Sequence, residues 1–449
     1  MNNDNLSSPF HLNWAFAPSH LDSSAIRQLT AFTSDHISGE LNADPFNIES
    51  WTSTSYQDPT FINTPTNLAT QTPSAADAKA PSTTTVDKAL ELVHELLACA
   101  EAIGCGDVAL ASSILKRLWP MTSPAGDALR RVVYYFVCAL HCRLALPQNT
   151  TCGGSPAATS ARKEALLLLH QSTPFLAFGF LVANHAIYMA GEGRDRLHII
   201  DLGMEHTLQW PPLLRALATR RSGAPHVRIT ALPSPTVSLA QLQLSMKSIA
   251  DDSKNLGLDL DFHIASTSDP LQIKQGETLI INSMMKLHRY QANMLEEIYG
   301  LKPSLVTLVE QDANHNGEVF VGRFVEALHY YSAVFDAVEG VVEGKGRGEI
   351  ERWYFGEEIR NVVAMEGEER VERHERGENW GRRMRTMGFE EVGVSGCGGE
   401  VREMLGVKGW EGYSVMEEKG GLVLGWKERP LVWASAWVVA NGRGDGGIL

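Results

Sequence analysis

The stretch that decides the fold is LHIIDLGMEHTLQWPPLLRAL, residues 197–217. It opens with an apolar run that ends in Asp201, as a buried strand does, and Gly203 follows at the expected turn. The two prolines after Trp210 predict the first turn of a helix. A strand, a glycine turn and a helix in this order are the outline of a nucleotide- or cofactor-binding crossover.

The turn departs from that outline. A Rossmann-like loop is rich in glycine because glycine lets the backbone approach the ligand, but here residues 203–207 read GMEHT. The side chain of Glu205 would fill space and bring negative charge near a phosphate or a carboxylate. The second predicted strand, RITALPSP, is followed by no acidic residue that could hold ribose hydroxyls. We therefore expect no cofactor in this cleft.

The residues around the turn are assigned to structure before function. The run itself comprises Leu197, His198, Ile199, Ile200 and Asp201, and the adjoining loop and helix start contribute Gly203, Glu205, Gln209 and Trp210. Asp201 is expected to cap the following turn or helix. Trp210 is expected to pack against the sheet.

Motifs that carry chemistry are absent from the sequence. There is no GxSxG elbow, no P-loop and no HExxH pair. His288, His315 and His329 show no metal-ligand spacing, and Cys138 and Cys142 lack a partner at zinc spacing. The sequence therefore predicts neither a catalytic site nor a metal site.

Composition and net charge limit the compartment and the partners that can be expected for this protein. The chain has 449 residues and a formal net charge of −14, so its average surface would repel duplex DNA. Six cysteines without a CxxC pair fit free thiols in a reducing compartment. No secretory signal and no apolar run of the ~18 residues that a membrane helix needs is visible. We expect a cytosolic or nuclear protein.

Three regions follow one another along the chain. Residues 1–84 are rich in Ser, Thr, Asn and Pro, and are predicted to be a disordered acidic arm; residues 1–87 hold nine acidic and two basic residues, a net of −7. Residues 85–190 show helical apolar spacing and are predicted to form a helical cap. Residues 191–440 alternate β-rich runs with helical stretches and end in closely spaced strands, which predicts an α/β core of the class I methyltransferase type.

Two segments of the core have unusual composition. Residues 366–385, EGEERVERHERGENWGRRMR, are predicted to be a solvated helix with intrahelical ion pairs, or else a face that docks a partner. The candidates for intramolecular or intersubunit pairing here and nearby are Arg352, Arg370, Glu372, Arg373 and Arg383. Residues 343–349, EGKGRGE, are predicted to be a flexible loop.

Several blocks together resemble the GRAS family of plant transcriptional regulators. LHIID with LQWPPLL resembles the VHIID motif, and LLACAEAI at 96–103 with PFLAFGFLVANHAI at 174–187 looks like the first leucine-rich region. The block at 308–336 resembles the stretch spanning the second leucine-rich region and PFYRE, and the block at 361–384 is similar to the RVER segment. The last block holds the SAW signature, with Trp426, Trp433, Ser435, Ala436 and Trp437.

The resemblance implies a function as well as a fold. It implies a nuclear coregulator, not an enzyme, that scaffolds DNA-binding transcription factors and other GRAS-type proteins and forms homo- or heterodimers. Direct contact with DNA and a small-molecule or methyltransferase-type use of the cleft are the alternatives. The sequence departs from the family in its blurred PFYRE block, its leucine-poor second region (236–257) and its lack of a DELLA-like segment. The three tryptophans of the last block are expected to close the core.

Overall fold

A computed structural model describes most of the chain after the acidic arm. The described residues are 83–145, 156–234, 237–265, 271–290, 293–342, 344–418 and 420–440. The predicted disordered arm, apart from its last two residues, lies outside this part of the chain. Element labels below refer to these described residues.

Five helices precede the first strand, as the helical spacing predicts. Their bounds are α1 Thr83–Gly104, α2 Val108–Leu118, α3 Ala128–Ala145, α4 Pro156–Ser172 and α5 Pro174–Ala190. Helix α2 is capped by Asp107, which accepts from the backbone N–H of Leu110 at 2.9 Å. Helix α5 starts at a proline behind the capping residue Thr173, and its side chains are mostly buried. An apolar helix of this kind belongs in the interior, where it can pack on a sheet.

In the described part of the chain the sheet has nine strands, and five of them are parallel neighbours in the order β3-β2-β1-β4-β5. These strands are β1 Arg196–Met204, β2 His226–Pro233, β3 Leu260–Ile264, β4 Thr278–Met284 and β5 Leu305–Gln311. Helices α6 Trp210–Ala218, α7 Leu239–Asn255 and α8 Met294–Gly300 connect them. The β-rich runs that predict parallel strands, at 197–201, 226–231, 260–265, 278–283 and 305–310, all form strands of this sheet.

The sheet continues with antiparallel strands beyond β5. They are β6 Phe389–Val392, β7 Tyr413–Glu418, β8 Gly421–Trp426 and β9 Arg429–Val439, and β9 pairs with β5, β6 and β8. Helices α9 Phe320–Val341, α10 Gly344–Ile350, α11 Gly356–Ala364, α12 Gly377–Met387 and α13 Gly398–Val407 complete the fold. Parallel strands followed by an antiparallel edge confirm the expected α/β fold with an N-terminal helical layer.

Helix α5 joins the helical layer to the sheet. A Cβ built on Gly179 would lie 2.7 Å from Cγ1 of Val309 on β5, so only glycine permits this close approach. Buried side chains of α1–α5 and of the sheet form one continuous apolar cluster. The division of the chain at residue 190 into cap and core therefore stays a prediction about sequence organisation.

Two segments differ from their predicted local structure. Residues 343–349 were predicted to be a flexible loop, but from Gly344 onward they belong to helix α10, which runs through a π-helix at Glu351–Phe355 into α11. Buried Ile350 and Phe355 anchor this run, so packing outweighs the low helix propensity of its glycines.

The charged segment 366–385 is not one solvated helix. It contains a 3₁₀ turn at Gly367–Glu369, no regular structure at 370–376, and then the start of α12. Arg370 and Glu372 lie in the irregular part and are each 4 % exposed. At Arg370 and Glu372 inward contacts with other elements replace the intrahelical pairs that the composition suggested, whereas Glu378 and Arg382 within α12 form one such pair at 3.2 Å.

The described helices include none that by itself is long and apolar enough to cross a bilayer. The pair Ser160–Ser172 and Pro174–Ala190 meets the length and composition criterion only jointly, with a bend of 76° between the two parts.

Candidate functional site at the carboxyl ends of the parallel strands

Amide side chains form a buried network at the carboxyl ends of β1 and β4. Asn282 on β4 donates to Oδ1 of Asp201 at 3.2 Å and to Oε1 of Gln209 at 3.1 Å. The Gln209 amide donates to Asn282 at 3.0 Å and to Asn184 of α5 at 3.1 Å, and the Thr307 hydroxyl donates to Asn282 at 2.9 Å. The amide groups of this network are therefore largely paired inside the protein.

Asp201 does not cap the following helix, contrary to the sequence prediction. Helix α6 begins after Gln209 with no side-chain cap, and Asp201 bonds sideways to Asn282. Burial raises the pKa of Asp201 to about 7, against the opposing effects of Asn282 and Lys286. Hydrogen bonding within the sheet edge thus uses the carboxylate that a helix cap would have needed.

Lys286 occupies the space above the glycine turn. Gly203 has φ +67°, in the left-handed region, and it sits at a register shift in β1. A Cβ on Gly203 would lie 2.8 Å from Cγ of Lys286 and 3.0 Å from its Cδ. The ammonium of Lys286 reaches Oε1 of Glu205 at 2.6 Å.

Neighbouring cations neutralise the negative charge that Glu205 brings to this loop. Besides Lys286, Arg289 lies 3.5 Å from the same carboxylate oxygen. Burial alone would raise the pKa of Glu205, but Lys286, Arg289 and Arg162 hold it well below its usual range. For Lys286, burial and Arg289 outweigh Glu205 and lower the pKa to about 8.

These residues do not fit a nucleoside-type cofactor. In a working loop the glycine turn leaves room for the ligand, whereas here the stem of Lys286 lies against Gly203. Asn282 bonds to Asp201, and the end of β2 and the residue after it are Pro233 and Ser234 instead of an acid.

A second buried cluster contains more charge. Glu310 at the end of β5 accepts from the backbone N–H of Leu287 at 2.8 Å and lies 2.6 Å from Nδ1 of His288. Nε2 of His288 lies 2.8 Å from Oε2 of Glu372, whose other oxygen accepts from Arg289 at 2.6 Å. Burial opposes a charge on His288, but the two carboxylates raise its pKa to about 9.

Two more histidines are packed against this cluster. The rings of His288 and His374 have centroids 3.9 Å apart, and His315 is 5.3 Å from His374. Burial lowers the pKa of His315 to about 3, and burial together with His288 lowers that of His374 well below its usual value. Both rings are therefore neutral at physiological pH.

Among the five residues predicted to form ion pairs, Arg370 and Glu372 are buried, whereas Arg373 and Arg383 are half-buried. Arg370 donates to the carbonyl of His315 at 2.9 Å, and Glu372 belongs to the buried cluster, so neither contributes to an exposed partner face. Arg383 pairs with Glu375 at 2.8 Å. Arg373 donates to the Gly367 carbonyl and to Asn316 at 3.5 Å rather than to a carboxylate.

Arg352 and the residues of β1 contact aromatic, hydroxyl and apolar groups. The Arg352 guanidinium lies 4.5 Å from the centre of the Trp353 ring. His198 bonds to Thr230 at 2.8 Å and neighbours Arg228 at 3.0 Å. The apolar members of the run and Trp210 are at most 3 % exposed: Leu197, Ile199, Ile200 and Trp210.

The C-terminal tryptophans lie in the interior. Trp433 and Trp437 are fully buried on β9, and the indole N–H of Trp437 donates to Ser435 at 2.8 Å. Trp426 is 4 % exposed and donates to Asp336 at 2.6 Å. Ala436 pairs with Thr307 in the ladder between β9 and β5. These positions connect the antiparallel edge to the parallel sheet.

Sequence reasoning missed the charged cluster. His288 and Glu372 are 84 residues apart, and no motif joins them. The available signal was that Glu310 ends one apolar run and His288 follows another, since carboxyl ends of parallel strands meet at one edge. Glu372 and His374 lie in a segment whose composition resembles that of a surface helix, so the composition did not indicate their burial.

Comparison with known proteins agrees with the sequence resemblance. The GRAS domain family model matches residues 92–438. The chain is 38 % identical to the GRAS family protein RAD1 of Lotus japonicus, over 78 % of this chain and 74 % of that protein. It is 35 % identical to the DELLA protein RGL1 of Arabidopsis thaliana, over 78 % of this chain and 70 % of that protein.

A solved structure agrees as well. The crystal structure of SCL7 from Oryza sativa superposes with a TM-score of 0.67 at 31 % identity, over 77 % of this chain and 99 % of that chain. The matched family model, the high-coverage relatives and this fold all lead to one conclusion. The chain belongs to the GRAS domain family, whose members regulate transcription in plants.

Proposed function

We propose that this protein is a nuclear transcriptional coregulator that acts as a scaffold and not as an enzyme. The observation that carries the proposal is the filled cleft at the end of β1. The Lys286 stem against Gly203 and the ion pair to Glu205 take the space and charge that a cofactor would need. A fold that keeps a methyltransferase-type sheet without its ligand space is free to serve as a platform for protein contacts.

The first two helices supply a surface suited to such contacts. Several large apolar side chains there and in the following 3₁₀ turn are exposed by 38–56 %: Leu90, Val108, Leu110, Trp119 and Met121. Exposed apolar groups gathered on neighbouring elements favour association with another protein. Helix α1 packs against α2, so these exposed side chains belong to neighbouring elements.

The partners would be DNA-binding transcription factors and other GRAS-type proteins, in homo- or heterodimers. Sequence-specific DNA contact would come from those factors, because a chain with net charge −14 gains little from phosphate neutralisation. Residues 1–84 would add an acidic arm to the same assembly. In this role the α/β core fixes the geometry of the helical surface.

The test compares partner capture by the full chain and by matched surface variants. The double variant Leu110→Asp and Trp119→Asp places two negative charges among the exposed apolar side chains of α2 and the 3₁₀ turn. Leu244→Asp is the control, because Leu244 is 69 % exposed on α7, away from that surface. The baits would capture DNA-binding factors and GRAS-type proteins from plant nuclear extract, identified by mass spectrometry.

The proposal expects wild type and Leu244→Asp to recover the same factors and the double variant to lose them. Equal recovery by all three baits would refute a role for this surface. A fluorescent fusion should accumulate in nuclei, and exclusion from nuclei would refute the location. Calorimetry with S-adenosylmethionine should give no binding heat; saturable micromolar binding would revive the enzymatic alternative.

A further inference from the structure

Three buried side chains meet beside the filled cleft and can each offer one donor atom to a metal ion. His288 comes from the 3₁₀ turn after β4, and Glu372 and His374 come from the irregular segment before α12. The donor atoms all lie within 4.8 Å of one another. Oε2 of Glu372 is 2.8 Å from Nε2 of His288 and 3.4 Å from Nε2 of His374.

His374 is the member that its protein surroundings do not satisfy. Its side chain is fully buried, and neither ring nitrogen makes a hydrogen bond within the described part of the chain. A buried polar group without a partner costs free energy unless a ligand satisfies it. The Glu372 carboxylate at 3.4 Å marks the side of the ring on which such a ligand would sit.

Neighbouring residues orient the other two donor side chains, His288 and Glu372. Glu310 lies 2.6 Å from Nδ1 of His288, which turns Nε2 of that ring toward Glu372. Arg289 donates to Oε1 of Glu372 at 2.6 Å and more weakly to Oε2 at 3.4 Å, and Oε2 faces both histidines. The side-chain oxygen of Asn361 also accepts from the backbone N–H of Glu372 at 2.8 Å. A carboxylate on the far nitrogen of a ligating histidine is the usual outer support of protein metal sites.

We propose that His288, Glu372 and His374 bind a divalent zinc ion, which replaces the proton on Nε2 of His288 and releases that proton to solvent. Two imidazoles and one carboxylate are a donor set that Zn²⁺ takes in proteins, and three donors leave one position of a tetrahedral ion for a further ligand. The site is buried and joins the turn after β4 to residues 370–376. The ion would therefore fix that irregular segment on the edge of the sheet, a role independent of the scaffold function proposed above.

The first test measures zinc binding by the full chain. Metal-stripped protein is dialysed against Zn²⁺, and the retained metal is counted per chain; Co²⁺ serves as a spectroscopic substitute. The proposal expects one retained equivalent in wild type and loss of that equivalent in His374→Asn and in Glu372→Gln. Glu310→Gln should weaken zinc binding about 10- to 100-fold, because it removes the outer support of His288.

His315→Asn is the matched control. His315 is equally buried and packs 5.3 Å from His374, but it lies outside the three-donor set. This variant should keep its zinc. Equal zinc retention by folded His374→Asn and wild type, or no retention by wild type, would overturn the proposal. Circular dichroism establishes that each variant is folded.

A second measurement needs no variant. X-ray absorption at the zinc edge of the wild-type protein should show nitrogen and oxygen neighbours with the outer scattering of two imidazoles. A sulfur shell would place the ion on cysteines and would refute the assignment, whatever the variants do. Retention of zinc together with a failure of partner capture would leave this site intact and reject only the scaffold function.

Discussion

Replacing Gly203 by alanine tests whether Lys286 really fills the cleft. The substitution forces a side chain into φ +67° and places its Cβ 2.8 Å from Cγ of Lys286. The left-handed conformation costs about 1–2 kcal/mol, and overpacking against the lysine stem adds about 1–3 kcal/mol. We expect the free energy of unfolding to fall by about 2–5 kcal/mol.

Gly193 provides the control for the backbone contribution. It has φ +68°, and a Cβ there would meet nothing within 4 Å. Gly193→Ala should therefore lose only the conformational part, about 1–2 kcal/mol. The difference between the two glycine variants isolates the contact with Lys286.

A double-mutant cycle then identifies the contact. Lys286→Ala removes Cγ and Cδ, so Gly203→Ala should cost less in that background by about 1–3 kcal/mol. The assay is urea unfolding of the full chain, followed by tryptophan fluorescence and circular dichroism. Additive effects in the cycle, or equal losses for the two glycine variants, would show that the cleft has room and would remove the main support for the scaffold proposal.

Three further predictions concern stability. The free energy of unfolding of metal-free Glu372→Gln should fall by about 3–5 kcal/mol, because the substitution breaks a buried ion cluster. Glu378 is 65 % exposed and pairs with a surface arginine, so Glu378→Gln should lose under about 1 kcal/mol in the same urea assay. Burial lowers the pKa of His315 in the folded protein to about 3. The unfolded chain binds a proton at this histidine at a higher pH than the folded protein does, so the free energy of unfolding falls as the pH drops below about 6.5. His315→Phe should remove about 1.4 kcal/mol per pH unit from this slope, and identical slopes for the variant and wild type would contradict the prediction. Trp437→Ala should cost about 3–5 kcal/mol, and an unchanged melting temperature with lost partner binding would reassign that tryptophan to an interface.

The two segments that sequence analysis misjudged share one physical cause. In residues 343–349 the glycines suggested a loop, but buried Ile350 and the helical run after it impose a helix from Gly344 onward. In residues 366–376 alternating charges suggested a surface helix, but Glu372 and Arg370 are drawn inward by partners on other elements. Local propensity amounts to less than about 1 kcal/mol per residue, and long-range burial exceeds it.

The sequence by itself determined the order of the elements. Apolar runs ending in turns located all five parallel strands, and the helical spacing of 85–190 located the N-terminal helices, because both patterns repeat over neighbouring residues. It also located the edge of the sheet at which Asp201 lies.

Only the tertiary structure decided what occupies that edge. Lys286 over Gly203, Asn282 on Asp201, and His288 with Glu372 and His374 are contacts between residues far apart in the chain. No local pattern encodes them, because they arise when parallel strands bring their carboxyl ends together and burial then selects which charges can pair.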